Sequence, residues 1–237
     1  MIDVRAAAFV VSAIAMMVMP AQADSTDTEF ASNGLDHLLY VSSSLEQGMD
    51  EIESLLGVRP VLGGHHPQFG THNALLSLGP GIYLEVIARD PDLPAPARAA
   101  MIDVAPGTPS KLLTWVYRAD DIEGTVAAAS DTIDFGVVDS GSRMKPDGSE
   151  IRWRFTDPYT MPMDGAVPFL ISWGETTHPS LAVPPGGKLV EFVIEHPDPE
   201  GVRAALSAIG ADIKVVKADQ YSLSATIETA NGLVTLK

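Results

Sequence analysis

The chain contains no cysteine, so neither a disulfide framework nor a thiolate metal site can form, and oxidising surroundings would neither help nor harm it. Positive charge is scarce: 15 Lys and Arg stand against 31 Asp and Glu, a formal net charge of −16. A surface of that sign repels nucleic acid and anionic lipid, and neither is an expected partner. Also absent are a phosphate-cradling glycine loop ahead of a helix, a dinucleotide fingerprint, a Ser-His-Asp nucleophile signature, a basic run and any low-complexity tract. The one long apolar run, Ala6 to Met19, is broken only by Ser12 and falls short of the about 20 residues a membrane span needs. With Arg5 ahead of it and Ala21-Gln22-Ala23 behind, residues 1–23 read as a secretory signal peptide; an uncleaved anchor is the alternative. Cleavage removes Asp3 and Arg5 together, so the net charge is unchanged. The mature chain, 237 − 23 = 214 residues, is expected in the periplasm or secreted, with no membrane attachment after cleavage.

What is present is a repeat. The stretch Leu35-Asp36-His37-Leu38-Leu39-Tyr40-Val41 runs into Ser44 and a helical pattern; Leu112-Leu113-Thr114-Trp115-Val116-Tyr117-Arg118 runs into Asp121; Leu189-Val190-Glu191-Phe192-Val193-Ile194-Glu195 runs into Asp198. The offsets, 112 − 35 and 189 − 112, both equal 77. Each copy reads as a strand feeding a helix through an N-cap. Ser44 with Gln47 has the form of a capping box, and Asp198-Pro199 pairs a cap oxygen with a pre-set φ.

From these joints the chain divides into a leader over 24–34, a β-α-β-β-β module over 35–89, a proline-rich connector with a helical turn near Arg98 to Met101, a second module over 111–174, a linker over 175–187 and a third module over 188–237. The last ends in a hairpin turning at Asn231-Gly232, a type I′ signal. The fold class is α+β. Gly63-Gly64-His65-His66-Pro67 with Gly70 and Thr71 reads as a loop between strands, a lid over a site or a solvated loop with incidental histidines.

The Leu35-Asp36-His37 run, the Gly63 to Asn73 loop, Leu75 to Gly79, Tyr83-Leu84-Glu85-Val86-Ile87-Ala88 and Ser142-Arg143 to Pro146-Asp147-Gly148 resemble the glyoxalase-like domain family of the vicinal oxygen chelate superfamily, over Leu35 to Trp173. The resemblance implies paired modules whose curved mixed sheets enclose a cavity, with metal ligands on the first and last strands of each module. It leaves the reaction open, since such folds serve lyases, isomerases, dioxygenases and metal-free binding proteins.

Strand alternation then nominates side chains for that cavity. His37 shares a face with Leu35, Leu39 and Val41, and Glu85 one with Tyr83 and Ile87; each is a polar group in apolar company that needs a cation, a metal or each other. Both stand at the family's ligand positions, where an imidazole and a carboxylate suit Zn²⁺, Fe²⁺, Mn²⁺ or Ni²⁺. Their counterparts in the second module, Thr114 and Ile171, add nothing. A third ligand would come from His72, His65 or His178, with Glu191 a weaker candidate; the rival arrangement is a metal-free His37–Glu85 pair. On the strand Glu150–Thr156, Ile151, Trp153 and Phe155 form a face suited to a helix, which turns Arg152 and Arg154 inward. With Arg118 these would hold a substrate carboxylate. Asn73 and Trp173 join them as expected substrate contacts, and Glu85 is the expected catalytic group. The expectation is a small-molecule enzyme of the vicinal oxygen chelate type, or a metal-free sequestering protein of the same fold. An odd third module implies a homodimer through Lys188–Lys237.

Overall fold

A computed structural model describes residues 33–94, 102, 104–145 and 148–237. The expected signal peptide and nearly all of the leader, the helical turn at 98–101, and Pro146-Asp147 lie outside the described residues.

The three joints fold as their caps dictate. β1 (Leu35–Val41) leads into α1 (Leu45–Leu56), where the Ser44 hydroxyl accepts from the Gln47 backbone N–H and Gly57 ends the helix at φ 79. The reciprocal half of a capping box is replaced: the Gln47 side chain accepts from the Ser43 hydroxyl and donates to Glu51 instead. Asp121 caps α2 (Ile122–Ala129) through the Gly124 N–H, and Asp198 caps α3 (Pro199–Ala208) through the Gly201 N–H. Each cap satisfies a donor that a helix start would otherwise leave bare.

Between the helices lie β2 (Val61–His66), β3 (Thr71–Ser77), β4 (Tyr83–Arg89), β5 (Lys111–Arg118), β6 (Val138–Met144), β7 (Glu150–Thr156) and β8 (Phe169–Ser172), which with β1 form one sheet ordered β2-β3-β4-β1-β5-β8-β7-β6. β1 pairs with β4 in parallel, β5 pairs with β8 in parallel, and the two halves join where β1 runs antiparallel to β5. The sheet curves until its outer strands nearly meet, and the Arg143 guanidinium on β6 donates to the Gly63 carbonyl on β2. Gly63 to His66 is therefore strand, and only residues 67–70 turn between β2 and β3. The expected long loop is a hairpin wall.

The curved sheet sorts its apolar residues into two clusters. Leu38, Tyr40, Ala74, Leu76, Leu84, Val86 and Trp115 face outward to the helices; Leu39, Val41, Leu75, Tyr83, Ile87, Val116, Ile171 and Trp173 face inward. Leu35 belongs to the outer set, contrary to strict alternation with His37. The β1–β5 register shifts between Leu35 and His37, and such a bulge changes which side successive residues occupy.

The carboxy-terminal segment makes a separate sheet from β9 (Lys188–His196), β10 (Lys214–Lys217), β11 (Ser222–Thr229) and β12 (Gly232–Leu236), ordered β10-β9-β11-β12. Its apolar face, with Phe192, Ile194, Leu223, Ala225 and Ile227, joins the outer core of the large sheet, Phe192 meeting Trp115 with ring centroids 5.6 Å apart. The other face carries Glu191 bonded to Lys214 and Thr226 bonded to Thr235. The odd third module thus packs against the outer core of the large sheet within its own chain. At the β11–β12 turn Ala230 and Asn231 keep negative φ and Gly232, just past them, takes φ 110, so the turn is not type I′.

Candidate functional site

A cavity of about 90 Å³ opens inside the curved sheet. Its wall is chiefly apolar and aromatic: Leu75, Tyr83, Trp153, Phe155, Phe169, Ile171 and Trp173, with Phe69 from the β2–β3 turn. Into it reach a few polar groups, Glu85, Asn73, His66, Thr71 and Arg143. Apolar walls with few convergent polar groups are the usual build of a small-molecule site.

The polar side is organised around His37, which is 3% exposed. Its Nδ1 lies 2.7 Å from Asp36 Oδ1 and its Nε2 lies 3.3 Å from Glu85 Oε2. The Tyr83 ring stacks on the imidazole at 4.4 Å. Asp36, fully buried, also accepts from Trp173 Nε1 at 3.0 Å and faces His178 Nε2 at 3.0 Å, with Arg118 at 3.9 Å. Glu85 Oε1 accepts from Asn73 Nδ2 at 2.6 Å. Burial works against every charge here and is outweighed in each case. It would lower His37, but the bonds and charges of Asp36 and Glu85 raise it to about 9. It would raise Asp36 and Glu85, but His178 and His37 hold the first at about 2, and chiefly His37, with Asn73, holds the second at about 2. An imidazolium thus sits between two carboxylates, each charge compensated and hydrogen-bonded, as buried charges must be.

His178 arrives from the 175–187 segment, which wraps across the large sheet: Ser77 pairs with Pro185, and the Ser180 hydroxyl accepts from the Gly81 N–H. His178 caps a short 3₁₀ turn over Pro179–Leu181 and so reaches Asp36, 142 residues away in the chain.

Three further groups complete the wall. Burial pulls His66 down to about 4, leaving it neutral, and its Nδ1 lies 3.0 Å from the Thr71 hydroxyl. Arg143, 8% exposed, is a buried cation lining the cavity, its pKa also lowered by burial. Asn73 Oδ1 is buried with no hydrogen-bond partner among the described residues. A Cβ on Gly63 would collide with that oxygen, so glycine is what lets the β2 backbone pass so close to the amide.

The structure brings His37, Glu85, Asn73, Trp173 and the candidate ligand His178 together, keeps Arg118 at their edge, and leaves His72, Arg152 and Arg154 apart. His72 points to the opposite face of β3 from Asn73, where it stands with His65 and Asp90; the ligand atoms of these three lie within 4.8 Å of one another. Burial lowers the His72 pKa. Arg118 stays at the edge of the Asp36 network and donates to the Gly81 carbonyl. Arg152 and Arg154 face solvent, paired with Glu150 and Glu123 respectively. The reading of β7 was inverted because its apolar face has no helix to cover. α2 is a short helix that leans on β8 and α3, so Ile151, Trp153 and Phe155 turn inward to meet aromatic rings across the cavity. Arg143 and Asp36 were missed. Asp36 carried a signal in retrospect, a carboxylate beside His37 in a strand whose other residues are apolar or aromatic; Arg143, in the polar run Asp139 to Arg143, belonged to the family resemblance without a role.

The family's metal position is only half furnished with ligands here. His37, its Nδ1 held by Asp36, and Glu85 stand at it. The Thr114 hydroxyl donates to the Gly165 carbonyl, and Ile171 has no donor atom. The usual set of nitrogen and oxygen ligands is therefore half missing.

A family model described as glyoxalase-like domain matches residues 35–210. No curated protein matches the chain by sequence. Among solved structures, a hypothetical protein from Staphylococcus aureus aligns over 85% of this chain and 97% of its own, with TM-score 0.60 and 11% identity. Methylmalonyl-CoA epimerase from Streptomyces coelicolor, in complex with 2-nitronate-propionyl-CoA, aligns over 59% of this chain and 96% of its own, with TM-score 0.39 and 16% identity. The epimerase from Mycobacterium tuberculosis aligns over 67% and 91%, with TM-score 0.37 and 17% identity. The first likeness is one of fold; the two epimerases superpose too loosely to carry more.

Proposed function

The chain belongs to the glyoxalase-like domain family, whose model spans residues 35–210, and on that premise we propose that it is a small-molecule enzyme whose reacting protein group is the Glu85 carboxylate. The observation that carries this reading is the setting of Glu85: a buried anion on an apolar cavity wall, pinned through one oxygen by Asn73 and through the other by His37. A positioned carboxylate takes and returns a proton at a carbon or hydroxyl beside a carbonyl. Arg143, on the same cavity wall, provides the positive charge that steadies the oxyanion formed when that proton leaves. Asn73 Oδ1 is free to accept from a substrate hydroxyl. The reaction class is proton-transfer isomerisation or lyase chemistry, with no step assigned to a metal at His37 and Glu85. A cavity of about 90 Å³ is smaller than the ~150 Å³ that holds benzene. The group it encloses is accordingly compact, such as a short hydroxy-, oxo- or carboxy-acyl unit.

The test is exchange of carbon-bound hydrogen with D₂O, followed by NMR over a panel of small oxo and hydroxy acids and their esters. The wild type is expected to catalyse exchange in at least one compound, and Glu85→Gln to lose it by roughly 10²–10⁴-fold with binding retained. A second reading, a metal-free sequestering protein, rests on the same carboxylate: held at about 2, it is a weak base and a persistent anion. Saturable binding without exchange in any compound would favour it. Export, proposed from residues 1–23, is checked by sequencing the mature amino terminus of the native protein.

A further inference from the structure

The face of the β2–β3 hairpin turned away from the cavity carries its own constellation. His65 and His72 are direct cross-strand partners, which puts both imidazoles on one side of the sheet as near neighbours; their ring centroids are 6.2 Å apart. Asp90 follows the last residue of β4 and is fully buried. Four bonds hold it: its backbone N–H to the Gly70 carbonyl at 2.9 Å, its carbonyl from the Leu93 N–H at 3.3 Å, its Oδ1 from the Asp92 N–H at 3.0 Å, and its Oδ2 facing His65 Nδ1 at 2.5 Å. One histidine is enough to satisfy that carboxylate. The second, half-buried His72, has no hydrogen-bond partner among the described residues, so two imidazoles converge on a fixed carboxylate with one of them unused.

We propose that His65, His72 and Asp90 form a binding site for a borderline divalent ion of the zinc class, outside the cavity and distinct from the family's metal position. Two neutral imidazole nitrogens and one carboxylate oxygen are a donor set for Zn²⁺, Ni²⁺ or Fe²⁺, and a poor one for Mg²⁺ or Ca²⁺, which take oxygen. Tetrahedral zinc with ligands at ~2.0–2.1 Å holds its donor atoms ~3.4 Å apart. From a spread within 4.8 Å, closure needs a shift of roughly 1 Å. A χ rotation of His65, whose side chain is 62% exposed, provides that shift. Solvent takes the remaining position. The consequence is mechanical. His65 and His72 immediately neighbour His66 and Thr71, which line the cavity, so the ion ties the hairpin to the end of β4 and fixes that wall from behind.

The site stands independently of any role for Glu85, and its test needs no substrate. Mature protein with any histidine tag removed is stripped with chelator and titrated with Zn²⁺ by calorimetry, and with Co²⁺ by visible absorption, which reports tetrahedral nitrogen and oxygen coordination. One ion per chain is expected, with a rise in melting temperature. His72→Ala and Asp90→Asn should each weaken binding by at least about tenfold and abolish the Co²⁺ bands, while Glu85→Gln leaves both unchanged. Asp90 is buried, so circular dichroism establishes that its variant is folded, and His72→Ala, at a half-exposed position, carries the test if it is not. Absence of stoichiometric binding in the wild type would overturn the proposal. So would binding that survives His72→Ala and disappears in Glu85→Gln.

Discussion

The two halves of the large sheet share a strand order and turn different chemistry inward. β3 and β4 present Asn73 and Glu85 to the cavity, backed by His37 on β1, while β5, β7 and β8 turn Val116, Trp153, Phe155, Phe169 and Ile171 inward. The first half carries the His37–Glu85–Asp36 charges and the second carries most of the aromatic wall, with Arg143 on β6 as its charged group. The difference shows why a pseudo-symmetric fold can hold an asymmetric site: a buried imidazolium and two carboxylates need a low-dielectric, water-poor surround, and a second half whose polar contribution to the cavity is Arg143 on β6 supplies most of it. It also separates two kinds of stability. In the polar half the energy lies in compensated charge; in the aromatic half it lies in area removed from water.

The largest expected effect is in the polar half. Asp36→Ala removes the acceptor shared by His37, Trp173 and His178 and should destabilise by about 3–5 kcal/mol, since a buried charge is left uncompensated; urea unfolding measures it. A loss below about 1 kcal/mol would mean that the network is not charged.

The pH dependence tests the same half without mutation. His37 is raised from 6.5 to about 9, so its contribution is complete below pH 6.5 and fades as pH climbs through 9. Asp36 and Glu85 are lowered from 3.8 and 4.5 to about 2, so theirs is complete above about pH 4.5 and fades as pH falls through 2. Melting temperature should be highest between about pH 4.5 and 6.5 and decline towards pH 9, and Asp36→Asn should flatten that alkaline decline. An unaltered decline in the variant would assign it to other groups.

In the aromatic half, Trp153→Ala should cost about 1–3 kcal/mol, at or below the usual range for a buried tryptophan because this one is half-buried. It should enlarge the cavity and leave the alkaline decline as it was. If the decline moved with it, the halves would not be separable. The smallest effect is expected outside both: Arg152→Ala and Arg154→Ala should each change stability by less than about 1 kcal/mol, since their partners are surface carboxylates. They should also leave hydrogen exchange at the substrate intact. Loss of exchange in either would give it a substrate role despite its exposed ion pair.

The legible part of the site was the part whose logic is local. His37 and Glu85 stood out because each interrupts an apolar face, and the structure pairs them. Trp173 follows from its parity with Ile171. The hairpin at Gly63 to His66 was misread as loop because Gly-Gly-His-His has weak strand character of its own; its strand state comes from pairing with β3. Thr114 and Ile171 already signalled in the sequence that the second half lacked ligands.

What the chain determined by itself is the set of joints and their spacing: three caps at Ser44, Asp121 and Asp198, each serving the N–H three residues on, and the strands that precede them. Such signals act within a few residues, so they survive without tertiary context. Tertiary structure alone decided which face of β7 is inside, that a bulge brings Asp36 into the His37 network, that His178 crosses 142 residues to meet it, and that Arg143 reaches Gly63 over 80. The physical reason is that a strand's alternation defines two faces without saying which is buried. That choice belongs to whatever stands across the sheet, and here it is a ring of aromatic side chains in place of a helix.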